Sequence, residues 1–127
     1  MTQATVVSTS KAPAAIGPYS QAIKLGNLVF TSGQIGLNPA TGDLVGPSTA
    51  EQARQAFTNL KAVAEEAGGS LANVVKFTLF LTDLSEFAQV NAIMQEYVSA
   101  PFPARSTVGV ASLPKSARFE VEAILAL

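Results

Sequence analysis

Apolar and polar positions change period several times along this chain, and each change marks an element. Short β-rich runs come first. Residues 4–7, 20–25 and 28–34 read as strands, and Gly26-Asn27 suits a tight hairpin turn between the last two. Residues 35–47 carry Gly36, Pro39, Gly42, Gly46 and Pro47, the punctuation of a loop with a short strand near Leu44. The period then lengthens to that of a helix. Ser48-Thr49-Ala50-Glu51 has the form of a capping box, in which each end's side chain takes up a free backbone N–H at the other. Ala53, Phe57, Leu60, Ala64 and Ala67 form one apolar stripe, and Gly68-Gly69 ends it.

Residues 74–82 are β-branched and aromatic, which predicts a strand with Val75, Phe77, Leu79 and Leu81 on one face. Asp83-Leu84-Ser85-Glu86 is a second capping box. The stripe behind it is Phe87, Val90, Met94 and Tyr97, stopped by Pro101. Residues 105–110 form a strand after Pro103, Leu113-Pro114-Lys115 a turn, and residues 118–126 the last strand. This order predicts an α+β domain with two helices packed on one face of a mixed sheet. The opposite face then needs a cover, which partner subunits would supply.

Composition strengthens that expectation. The 127 residues amount to a single domain, 1–127. Only 13% are charged, against about 25% in a typical soluble domain, while 48% are apolar and the mean hydropathy is +0.31. Surface buried against copies of the same chain accounts for the deficit, so a homo-oligomer is expected. The net charge of -1 argues against a nucleic-acid binder built on a broad basic surface. No run of apolar residues is long enough to span a membrane. Met1 to Pro18 lacks the basic start and apolar block of a secretory signal, so a cytoplasmic location is expected.

Cysteine and histidine are both absent. That excludes disulfides, thiol nucleophiles, Ser-His-Asp triads, and thiolate or imidazole metal ligands. Hydrolytic chemistry must then rest on carboxylates, hydroxyls, backbone groups and water. Arg105 stands out on an otherwise apolar segment, with Thr107 on the same side of its strand. Its planar fork suits a small carboxylate. In the last strand Glu120 and Glu122 share a face, opposite Phe119, Val121 and Ala123. If the two strands are neighbours, Arg105 and Glu120 line one pocket wall. A partly desolvated Glu120 would hold a proton near neutral pH and act on a water. Spacing alone leaves open an ordinary salt bridge for Arg105 and a solvent-facing carboxylate for Glu120. Gly17-Pro18-Tyr19 is a turn into a strand, Ser32-Gly33 a strand end, and Asn91 a polar position on the second helix.

Together these motifs resemble the RidA (YjgF) family of reactive intermediate deaminases. The resemblance runs through Gly17-Pro18-Tyr19-Ser20-Gln21-Ala22, Thr31-Ser32-Gly33-Gln34-Ile35 and Asn38-Pro39-Ala40-Thr41-Gly42. It continues through Val90-Asn91, Pro103-Ala104-Arg105-Ser106 and Glu120-Val121-Glu122-Ala123. It implies a chorismate-mutase-like fold, a homotrimer, and ligand sites in the clefts between subunits. It also implies hydrolysis of 2-aminoacrylate and related enamines or imines to 2-keto acids and ammonia, with no cofactor and no metal. By the same resemblance Arg105 clamps the substrate carboxylate and Glu120 orients or activates the attacking water. Tyr19 lines the pocket, Ser32 and Gly33 shape its rim, Asn91 lies near the cleft, and Thr107 meets the ligand through its backbone. This chain departs from many relatives in having Gly36 where Pro is frequent, Thr107 where Cys is frequent, and Phe119 and Val121 around Glu120. Two other functions fit the same residues: a non-catalytic module that binds 2-keto acids, and an RNA-directed endoribonuclease or translation inhibitor. A holdase-like chaperone is a further alternative, which an oligomer interface makes unnecessary.

Overall fold

A computed structural model describes residues 3–127. The chain folds into strands β1 (Ala4–Val7), β2 (Ala22–Leu25), β3 (Leu28–Thr31) and β4 (Gln34–Ile35), then helix α1 (Thr49–Glu66) and strand β5 (Val74–Leu81). Helix α2 (Phe87–Met94) and strands β6 (Ala104–Gly109) and β7 (Phe119–Ala126) follow. One mixed sheet runs in the order β1-β2-β3-β7-β5-β6, with β4 also paired to β7. Among these pairs only β5 and β6 are parallel, because α2 carries the chain back between them.

Both helices cover one face. Alternation puts Phe77, Leu79 and Leu81 of β5 and Phe119, Val121 and Ala123 of β7 in register on that side, all buried. Phe57 of α1 packs edge-on to Phe77 at 6.1 Å and against Phe119 at 5.6 Å, and it stacks with Tyr97 at 5.4 Å. The opposite face carries Ile23, Phe30 and Ile124 in register, with Phe80 and Val108 further across. Phe30 is 42% exposed and Val108 40%.

Several expectations change in detail. Residues 28–34 are not one strand. The ladder breaks at Ser32-Gly33, where the Thr31 hydroxyl instead accepts the Ala123 N–H at 2.9 Å. The strand near Leu44 reduces to a single bridge between Leu37 and Leu44. Val75 does not share a face with Phe77. A bulge between Val74 and Lys76 shifts the phase, so Val74 is buried and Val75 is 47% exposed. Ser48 caps α1 by accepting the Glu51 N–H, but its hydroxyl donates to the Glu51 carboxylate, so the backbone half of the box is absent. Asp83 caps only a 3-10 turn, Leu84–Glu86, through the Ser85 N–H. Glu86 turns away to Arg118 at 3.0 Å. Helix α2 ends at Met94, well before Pro101, which leaves Tyr97 in the following turn.

Candidate functional site

The break after β3 shapes the first of two candidate pockets. Tyr19 is half-exposed, turned back by its N–H to the Gly17 carbonyl at 2.8 Å. Ser32 ties this segment to the strand end: its hydroxyl donates to the Ser20 carbonyl at 2.6 Å and its N–H to the Gln21 carbonyl at 2.9 Å. Gly33 then passes directly over Glu120, and a Cβ there would overlap the Glu120 carboxyl group. Gly36 permits a similar approach just beyond, where a Cβ would come within 2.5 Å of the Gln52 backbone of α1. Tyr19, Gly33 and Glu120 share a cleft of about 370 Å³, closed on its other sides by Leu37–Gly42 and by Pro114-Lys115. Burial pushes the Glu120 carboxyl above the usual carboxylate range, and the neighbouring charge of Glu122 adds to it.

The second candidate pocket lies on the helix side of the sheet. Arg105 is in register with Phe77, and Thr107 with Leu79, so both side chains point toward α2. The Arg105 guanidinium donates to Asn91 Oδ1 at 2.5 Å and to Met94 Sδ at 3.7 Å, and it lies over the Phe87 ring at 5.1 Å. Among the described residues it has no carboxylate partner, since the two ion pairs belong to Arg54–Glu96 and Arg118–Glu86. Arg105 and Asn91 border a cavity of about 430 Å³ whose other walls are Met94, Gln95, Val98, Phe102 and Pro103. Thr107 Oγ1 is buried without a hydrogen-bond partner.

Arg105 and Glu120 therefore do not share a wall. The strands that carry them are separated by β5, and Glu120 registers with Phe80 on the opposite side from Phe77. The expectation of a single-chain pocket fails because β6 joins β5 through the α2 crossover instead of folding back on β7. Two further contributors escape the sequence. Phe87 belongs to the predicted core stripe of α2, yet it is 37% exposed beneath the guanidinium. Lys115 reads only as a turn residue, yet it reaches the cleft over Glu120. Its signal would have been a bulky residue where the backbone demands glycine. Among the described residues no three His, Cys, Asp or Glu side chains converge as a metal-binding set.

The family described as endoribonuclease L-PSP matches residues 9–127. The chain belongs to that family. It is the RidA/YjgF family that the motifs resemble. A 2-iminobutanoate/2-iminopropanoate deaminase from Dermatophagoides farinae is 49% identical over 96% of this chain and 95% of its own. RidA from an Antarctic Psychrobacter superposes with a TM-score of 0.94 at 50% identity, covering 97% of this chain and 99% of that one. Escherichia coli TdcF, solved with serine bound, gives 0.91 at 42% identity over 97% and 98%. The RidA-type fold thus extends over nearly the whole chain, and both candidate pockets lie within it.

Proposed function

We propose that this chain is a cofactor-independent deaminase. It hydrolyses 2-aminoacrylate and related 2-enamino or 2-imino acids to 2-keto acids and ammonia, so clearing reactive intermediates. The observation that carries the reading is Arg105: a guanidinium oriented by Asn91 and Phe87, bound to no carboxylate among the described residues. An intramolecular salt bridge is thereby removed as its purpose, and a ligand carboxylate suits its fork. The relative named as an iminobutanoate and iminopropanoate deaminase, nearly half identical over almost the full length, supplies the substrate class.

In this reading three copies assemble through their helix-free sheet faces, consistent with the apolar Phe30 and Val108 there. The chorismate-mutase-like arrangement then places the Arg105 half-site of one copy beside the Glu120 half-site of the next. Arg105 holds the carboxylate, while Asn91 and the Thr107 backbone complete that wall. The enamine gains a proton at its β-carbon, loses one from its nitrogen and becomes an imine, whose carbon is electrophilic. Glu120 orients a water, takes its proton as the oxygen attacks that carbon, and returns the proton to the nitrogen. The resulting carbinolamine collapses to the keto acid, and the nitrogen leaves as ammonia. Tyr19, Ser32 and Gly33 shape the rim and limit bulk water, so most of the acceleration comes from positioning.

A decisive assay generates 2-aminoacrylate from serine with a dehydratase and follows pyruvate. The wild type accelerates pyruvate release. Arg105→Ala lowers kcat/KM by about 100-fold, the loss of a charge-assisted pair worth about 3 kcal/mol, while the oligomer stays folded. An unaccelerated wild type would reduce the protein to a keto-acid-binding module. The family's endoribonuclease description favours an RNA-directed reading, but a net charge of -1 gives RNA no basic track.

A further inference from the structure

The turn that carries Lys115 is held in a costly backbone conformation at the rim of the Glu120 cleft. Lys115 has φ 57° and ψ 26°, and Ser116 follows at φ 57°. Residues with a Cβ avoid this left-handed region, and two in succession are rarer still. Such strain persists where surrounding contacts enforce it, and it concentrates at ligand clamps. One contact of this turn crosses to the opposite loop at the exposed surface. Lys115 Nζ donates to the Gly42 carbonyl at 2.9 Å, joining segments 73 residues apart.

The loop it grips is itself closed, with the Asn38 N–H bonded to the Asp43 carbonyl and the Gly42 N–H to the Asn38 carbonyl. Pro114, Lys115 and Gly42 all line the cleft that holds Glu120. The ammonium therefore fastens two loops across one cleft. It does not tune the carboxyl group, whose raised pKa comes from burial and Glu122. The walls nearby, from Ile16, Leu37, Pro39 and Ala40, are apolar and suited to an alkyl chain.

We propose that Lys115 is a specificity-determining residue. Its bond to Gly42 fixes the span between the 38–43 loop and the 113–117 turn and thereby limits the length of substrate side chain the cleft admits. This rests on the imino-acid reading above. The test compares the wild type with Lys115→Met, which keeps the stem and loses the donor, and with Lys115→Arg, which keeps a donor. The substrates are the imines of alanine and leucine, generated in situ by an amino-acid oxidase. Binding of pyruvate and 4-methyl-2-oxopentanoate, measured by calorimetry, gives a readout that needs no turnover.

In Lys115→Met the long-to-short ratio of kcat/KM rises about tenfold, the scale on which an apolar pocket discriminates methylenes, and the change lies in KM. The keto-acid affinities shift the same way, and Lys115→Arg keeps the wild-type ratio. Unchanged ratios in a folded Met variant overturn the proposal. A wild type that turns over neither imine, while the keto-acid selectivity of Lys115→Met shifts as expected, overturns the deaminase reading and sustains the role of Lys115. A wild type that neither turns over an imine nor binds a keto acid overturns both.

Discussion

Glu120 is half-buried, roofed by Gly33 and neighboured by Glu122, so its charged form is the disfavoured one. The sign of the stability effect follows. The folded state holds this proton more tightly than the unfolded chain does, so its contribution is full at low pH and lost as pH rises through the folded pKa. Glu120→Gln should therefore raise the melting temperature at pH 7, and the gain should vanish toward pH ~3, where both states carry the proton. A melting series across that range checks it. The same variant should lose most deaminase activity at neutral pH, together with the acidic limb of the wild-type kcat/KM profile. At this scale the sequence is informative for single residues and silent on their grouping. Motifs pick out Tyr19, Ser32, Gly33, Asn91, Arg105, Thr107 and Glu120, and all but Ser32 and Thr107 line one of the two cavities. Which of them face each other depends on strand order, a long-range property that no local window contains.

Elements are legible where burial follows a regular period. The stripe of α1 and the alternation of β7 match their buried faces. Polar residues that serve the interior are not. Gln52 and Asn59 fall outside the apolar stripe, yet both are fully buried. Gln52 donates to the Gly46 carbonyl at 2.9 Å and accepts the Arg118 N–H at 2.7 Å. Asn59 donates to the Leu37 carbonyl at 2.9 Å and to that of Ile35 at 3.3 Å. These two side chains pin the segment that follows Gly33 onto α1. Replacing Asn59 with Leu strands the Leu37 carbonyl, whereas that of Ile35 keeps the Leu37 N–H at 2.8 Å, so denaturant unfolding should show a loss of about 1–3 kcal/mol. The bulge at Val74 and Lys76 escapes detection for a related reason: strict alternation cannot anticipate one extra residue.

For the whole molecule, the low charge and the uncovered sheet face point the same way, toward self-association. Val108 lies on that face at 40% exposure. An aspartate there should be tolerated by the isolated fold but costly to bury at an interface. Sedimentation of Val108→Asp should give a smaller species than the wild type, with activity lost in proportion. The separation of Arg105 and Glu120 onto opposite faces of one sheet also has a genetic consequence. In the proposed ring of three, every chain would lend one half-site to each of its two neighbours. A defective allele at either residue spoils one cleft of a mixed ring, whereas an allele carrying both lesions spoils two. Two different single-lesion alleles, each inactive alone, restore a sound cleft wherever their intact halves meet. Inheritance of activity at this locus would follow the arrangement of lesions among chains, in cis or in trans, more closely than their number.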